Sequence, residues 1–297
     1  MPRVIYCKDK AVYSVAECAD ALEHKGFDPQ DEESLGHAVL CLRRLGNDRA
    51  FIGDVMLDEL KNRHRQTQDS AYGAQALVLT KPANGFFLRA NIWPSQQDQM
   101  FHTTGAHNFA YGAPHDHNFD FLTLGYFGPG YESDYYEYDH DAVAGYRGEQ
   151  AGLRFVERAT LDPGKLMLYR AHRDVHSQIP PRSMSVSLNI MSIDAAQSWR
   201  DQYAFDLEDN RITRAVSPTS TEVFLRAAIG LGSEESCDLA EHFGRHHPVD
   251  RIRLASFHAR GLAAKDNGER DRIWREAENS GSLLVSREAK RFRAELV

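Results

Sequence analysis

The chain has 297 residues, 42% of them hydrophobic and 26% charged, with a net charge of −8. That length and balance fit an ordinary globular protein with a full core: one main domain with helical additions. The acidic balance argues against nonspecific nucleic-acid binding, which needs a basic surface, and the absence of a long apolar run argues against a transmembrane helix.

The first ten residues, Met1 to Lys10, hold no apolar signal core, so no secretory peptide is expected. From Ser14 to about Arg65 the period is helical. Val15, Cys18, Ala19 and Leu22 line one face behind a Ser14/Glu17 capping box, and Gly26 stops that helix. Leu35, Val39, Leu42 and Leu45 predict a second helix ending at Gly46-Asn47, and Ile52 to Leu60 predict a third. The texture changes near Tyr72. Strands are expected at Leu77–Thr80, Phe86–Ile92, the segment around His115 and His117, Tyr131–Tyr138, Leu153–Ala159, Lys165–Tyr169 and Met184–Met191, separated by Gly and Pro turns. Short strands at this spacing mean a sandwich or barrel rather than a βαβ fold. Beyond Ser217-Pro218 the helical period returns through Val223, Leu239–Phe243, Ile252–Leu262, Ile273–Glu278 and Phe292. The domain division is therefore 1–70 helical, 71–216 β, and 217–297 helical. From Thr219 onward acidic and basic residues are equal in number. A faint likeness to a helix-turn-helix at Cys237–Leu262 thus lacks the basic excess a DNA-reading helix carries. The tail is expected to pack on the β-domain or to form a dimer contact. Cys7, Cys18, Cys41 and Cys237 make no CxxC pair and read as reduced thiols of a cytoplasmic protein.

The fourteen histidines cluster in the middle. Pro114-His115-Asp116-His117 precedes an alternating stretch, Phe119, Phe121 and Thr123, and two histidines two residues apart on a strand project to the same side. A distant third, His176, stands just before the strand at Met184. Two close ligands and one remote ligand suggest a metal enzyme. Arg89 and Asn91 share a strand face, where an arginine turned inward would grip a substrate carboxylate. On the strand after Gly130, alternation puts Tyr135 and Glu137 on one face and Tyr136 and Tyr138 on the other, and one of these sets is expected to line the pocket. There a phenol could donate to a bound oxygen species, and the carboxylate could reach the metal. His102 and His107 lie in a polar loop, as proton shuttles or extra ligands, or simply as loop hydrogen-bonding groups. The bland alternative, solvent-facing loop histidines, stays open for the whole set.

The His115/His117 segment resembles the first motif of the cupin superfamily, in which HxH is followed by a Glu four residues on and then a Gly. His115, His117 and Gly128 match, while the Glu position is Phe121. Asp162-Pro163-Gly164 and the following strand resemble the lead-in to the second motif, with His176 as its histidine and His172 as a substitute. A three-histidine set with a His-Asp-His segment and a Ser-Leu strand (Ser185 to Ile190) is similar to the thiol dioxygenase-like cupins. The resemblance covers Leu77 to Met191. It implies a mainly β fold, a cupin double-stranded β-helix barrel with helical N- and C-terminal regions, and His115, His117 and His176 as ligands of one metal. His172-Arg173-Asp174 matches the HxD of 2-oxoglutarate oxygenases only superficially, since the distal histidines His242, His246, His247 and His258 fall in helical texture.

Fe(II) suits such a nitrogen-rich open site, with Zn, Ni, Mn and Cu as alternatives. The expected activity is O2-dependent oxidation of a small polar substrate, an amino acid or thiol compound among the choices. Neither nucleic acid nor membrane is expected as a partner, and a homodimer is allowed. The rival readings are a non-redox metal isomerase or lyase and a ligand-binding regulatory cupin without turnover.

Overall fold

A computed structural model describes residues 2–62, 75–217 and 219–296. The change of texture near Tyr72, the 70/71 boundary and the last residues of the helical stretch running to Arg65 lie outside the described residues. The chain divides into two units: residues 1–138 with 153–197, and residues 139–152 with 198–297.

The first unit contains β1 (Arg3–Ile5), α1 (Val15–Lys25), α2 (Glu32–Asn47), α3 (Phe51–Asn62), β2 (Ala76–Val78), β3 (Phe86–Trp93), α4 (Gln99–Thr104), β4 (Phe121–Phe127), β5 (Glu132–Glu137), β6 (Arg154–Thr160), β7 (Leu166–Tyr169), β8 (Asp174–Ile179) and β9 (Ser185–Ser192). Helix α1 starts where the capping box says it should: the Ser14 hydroxyl accepts the Glu17 N–H and the Glu17 carboxylate accepts the Ser14 N–H. It ends at Gly26, whose φ of 81° lies in the region that favours glycine.

Six strands form one sheet in the order β1-β7-β4-β9-β3-β2, and three form another in the order β6-β5-β8. The chain crosses between the sheets from β4 to β5, β6 to β7, β7 to β8 and β8 to β9. The six-stranded sheet is buried on both faces. On one face Leu122, Leu124, Leu188 and Ile190 pack with Leu22, Leu35, Leu42 and Leu45 of the N-terminal helices. A fully buried leucine of this kind stabilises by about 1.5–3 kcal/mol. On the other face Phe87, Trp93, Phe121, Met167, Tyr169 and Met191 cluster with Tyr131 and Tyr135, which lie at and on β5 of the small sheet. Burial on both faces explains why β4 and β9 show no clean alternation of exposure. The crossing after β4 passes close to the turn after β6. A Cβ on Gly125 would stand 2.2 Å from the Asp162 carbonyl oxygen, and Gly128, the glycine of the motif, has φ 76°.

The second unit pairs β10 (Tyr203–Asp206) with β11 (Arg211–Ala215) and adds five helices: α5 (Ser220–Leu231), α6 (Glu234–His246), α7 (Asp250–Ala263), α8 (Asn267–Glu278) and α9 (Leu283–Ala294). Residues 148–151 lie along β11, with Gly148 N–H on Ile212 O and Ala151 N–H on Asn210 O. Phe257, Trp274, Val285 and Ala289 form a helical core. Arg251 ties Asp201 to Glu222 at 2.6 and 2.8 Å.

Two expectations are corrected. The chain is not mainly β, because its helices take up more residues than its strands. The strands of the first unit hydrogen-bond as two sheets rather than as one demonstrated closed barrel. Helices α1–α3 share a core with the large sheet, and residues 139–152 cluster with the tail. No helix among the described residues is long and apolar enough to cross a membrane.

Candidate metal centre

His115 and His117 precede β4 rather than lying on it. Their segment, though extended, makes only an isolated bridge to β8, with His115 N–H on His176 O at 3.1 Å and His176 N–H on His115 O at 3.0 Å. Directly opposed residues of an antiparallel pair send their side chains to the same side, as do residues i and i+2. The bridge therefore brings His176 beside His115, and His117 follows by parity. The ring centroids lie 4.6 Å (His115–His176), 4.8 Å (His115–His117) and 5.1 Å (His117–His176) apart. One ring nitrogen from each lies within 4.8 Å of the others, and this is the one such group of three or more His, Cys, Asp or Glu side chains among the described residues.

The donor chemistry fits a metal ion. His176 is buried and neither of its ring nitrogens has a hydrogen-bond partner; the same holds for the buried Nδ1 of His117. Buried polar atoms are normally paired. Burial, reinforced by the neighbouring His115, holds His176 well below the usual 6.5, and burial with the adjoining imidazoles does the same for His117. Both rings therefore keep a lone pair. His115 Nδ1 lies 2.7 Å from the Ala113 carbonyl, so that nitrogen carries the proton and Nε2 is left as the donor. A divalent cation would satisfy all three.

Arg89 and Asn91 face the same interior. In the register Arg89 stands opposite Asn189, which stands opposite Thr123 of β4. Besides burial and the imidazoles, the Arg89 charge contributes to lowering His117. Tyr135 stands opposite His176 across β5 and β8, with its ring nearly parallel to the imidazole and 6.4 Å away. Its hydroxyl lies 3.0 Å from that of Tyr169, which lies 3.5 Å from that of Tyr131. Burial, with the neighbouring phenols, pushes Tyr135 and Tyr169 up, so both stay protonated.

Glu137 is not brought into the histidine group. Its carboxylate is held by Arg170 at 2.9 Å, Arg173 at 3.4 Å and Arg154 at 3.7 Å. Burial alone would raise its pKa; the cations hydrogen-bonded to it, Arg170 among them, hold it at about 2. His107, in a short 3-10 turn (Ala106–Phe109), and His102 are exposed and stand outside the group. His172 stands outside it too, giving its N–H to the His117 carbonyl at 2.8 Å.

Sequence reasoning missed Tyr169, whose ring lies 5.1 Å from that of His176. Its strand, Leu166-Met167-Leu168-Tyr169, is apolar throughout, so alternation marks no face; a pairing of Met167 with Thr123 would have revealed it. It also missed Asp116, fully buried on the opposite side of the HxH segment and accepting the Tyr138 hydroxyl at 2.6 Å.

No protein-family model matches the chain, and no curated protein matches it. Among solved structures it is similar to a salicylate 1,2-dioxygenase from Pseudaminobacter salicylatoxidans (8% identity, 48% of this chain and 33% of that one, TM-score 0.27). It is also similar to the DMSP lyase DddQ from Ruegeria pomeroyi DSS-3 (10%, 50% and 65%, TM-score 0.28). A cysteine peptidase, Peruvianin-I from Thevetia peruviana latex, scores much the same (11%, 44% and 69%, TM-score 0.25). The chain spans about a third of the dioxygenase's length. Likenesses this slight take in an oxygenase, a lyase and a peptidase alike, and they carry no argument about this chain.

Proposed function

We propose that this protein is a metal-dependent oxygenase of the cupin type, in which His115, His117 and His176 hold one Fe(II) ion and a small polar substrate is oxidised with O2. The observation that carries this reading is the buried His176, with no partner on either nitrogen, facing two further imidazoles. The repeated crossing of the chain between two sheets supports the double-stranded β-helix. Iron held by neutral imidazoles would supply adjacent open positions for O2 and for a donor atom of the substrate.

The surrounding residues bind, orient and hold protons. Arg89, on the inner face of β3, draws in an anionic substrate group. Tyr135 and Tyr169, protonated and bonded to each other, offer hydroxyl protons next to the histidines. Phe121, stacked on Tyr169 at 4.3 Å, and Phe119, stacked on His117 at 5.1 Å, keep water from that wall. The reading gives no role to His107 or to Glu137.

The test is elemental analysis of the full chain purified without added metal, beside His115→Ala and His176→Ala. About one iron per wild-type chain, lost in both variants, is expected. Unchanged metal content in the variants overturns the reading, and turnover without oxygen uptake turns it toward a Lewis-acid isomerase or lyase.

A further inference from the structure

The space between the sheets next to the histidines carries more polar groups than its hydrogen bonds use. Asn91 Oδ1, Thr123 Oγ1 and Gln178 Oε1 are buried with no partner, on side chains 7%, 0% and 5% exposed, while Ser133 Oγ meets only the phenol of Tyr135 and the amide of Gln178 also lies against the phenol of Tyr131. The register puts them on two facing walls. Asn91 and Thr123 stand opposite Ser187 and Asn189 in the large sheet, and Gln178 stands opposite Ser133 in the small one, two residues from His176. Trp93, two residues from Asn91, packs on Tyr131 at 4.4 Å, two residues from Ser133 in the chain, so the two walls meet near Asn91 and Ser133. A buried polar group without a partner is a standing loss of stability, so three in one place call for a bound molecule.

Their chemistry says which kind. An amide oxygen can only accept, so what Asn91 and Gln178 lack is a donor. Arg89, two residues from Asn91 on the same face of β3 and acting on His117 through its charge, and a divalent ion held by the imidazoles would make the surroundings cationic. The buried acids of this unit, among the described residues, are already engaged: Asp116 by Tyr138, and Asp174 by Arg170 at 2.6 Å. Glu137 is matched by three arginines. A cationic chamber attracts a carboxylate and repels an ammonium group, so the missing donor is a hydroxyl.

We infer that the chamber binds a small hydroxycarboxylate, with its carboxylate on the Arg89 side and its hydroxyl groups donating to the side-chain oxygens of Asn91 and Gln178. The inference rests on the metal-enzyme reading of the same site, whose ion adds to the positive charge. Thr123 and Ser133, able to donate or accept, complete the set for the carboxylate.

Three probes of equal carbon number separate the terms: glycerate, propionate (no hydroxyl) and alanine (ammonium). Calorimetric titration of the full chain, metal-free and loaded with cobalt(II), is expected to show glycerate binding at least about tenfold tighter than either analogue, one such hydrogen-bonded group being enough for that factor. Arg89→Met should abolish glycerate binding, and Gln178→Met should bring glycerate down to propionate. A second measurement needs no ligand. Thr123→Val removes an orphaned hydroxyl and should raise the metal-free unfolding temperature by about 2–4 °C. A lowered temperature means that structural water already satisfies the hydroxyl and overturns the inference, as does binding of propionate or alanine equal to that of glycerate, or no binding of any probe. Failure of the wild-type chain to take up cobalt strikes the metal reading instead and leaves the metal-free arms to judge this one.

Discussion

Removing one hydroxyl, in Tyr138→Phe, tests whether the histidines are aimed from behind. Asp116 sits between His115 and His117 in the chain, faces the other way and is fully buried, and its carboxylate accepts the Tyr138 hydroxyl at 2.6 Å. A hydrogen bond to a charged group stabilises by about 1.5–3 kcal/mol net, and its loss leaves a buried carboxylate short of a donor. For a unit of this size each kcal/mol lowers the unfolding temperature by about 2–4 °C, so the variant should melt about 3–12 °C below wild type. The peptide units of Asp116 also carry both flanking histidines, and a ligand whose support is loosened binds metal about tenfold or more weakly. Thermal unfolding followed by far-UV circular dichroism gives the first number, and competition with a chelator gives the second. An unfolding temperature and a metal affinity both indistinguishable from wild type would show that this bond neither stabilises the segment nor aims its imidazoles.

Glu137 gives a pH prediction. Its carboxyl is held at about 2, below the usual 4.5, so its contribution is complete above pH 4.5 and is lost as the pH falls from there toward 2. Glu137→Gln should therefore unfold more easily than wild type at pH 6, with the gap in urea midpoint closing as the pH approaches 2; a gap independent of pH refutes the assignment. Gly125→Ala places a Cβ 2.2 Å from the Asp162 oxygen and 2.7 Å from the Leu161 oxygen, both backbone atoms that cannot swing aside. A loss of about 1–3 kcal/mol or more is expected, read as a lower urea midpoint, and a wild-type midpoint contradicts the close crossing of the two turns. Leu188→Ala, fully buried between α2 and the sheet, should cost about 2–5 kcal/mol while leaving metal content unchanged, because it lies on the face away from the histidines.

Much of this was legible in the residues. The capping box at Ser14, the glycine stop at Gly26 and the leucine spacing of α2 are local signals, and the helices form where those signals stand. The histidine pair was legible because the i, i+2 rule needs only extended backbone, which the segment has even without being a regular strand. What failed was non-local. Strand β8 carries His176 but reads Asp-Val-His-Ser-Gln-Ile, too polar to mark as a strand, because its inward positions 174, 176 and 178 face a polar chamber and an arginine cluster rather than a core. The tie between residues 148–151 and β11 is a pairing of segments about 60 residues apart, which no local pattern announces. The arginines around Glu137 come from three separate positions, 154, 170 and 173, so alternation could place Glu137 on the histidines' face and still give no sign that its charge was taken.

The two faces of the six-stranded sheet show where this unit keeps its stability and where it gives some up. The face toward α1–α3 is mostly leucine, isoleucine and valine, with Phe86, Ala90 and Tyr126. The opposite face of the same strands carries Arg89, Asn91, Thr123, Ser187 and Asn189 among its aromatics, several with atoms that no partner satisfies. A fold selected only for stability would fill those positions with apolar groups, since each orphaned atom costs free energy and each replacement would recover it. The helix-covered face can bear that loss because its core is anchored independently of the chamber. Polar positions confined to the one interior face that also holds the three histidines are what the proposed binding chamber requires, whereas a loosely packed core would scatter them over both faces.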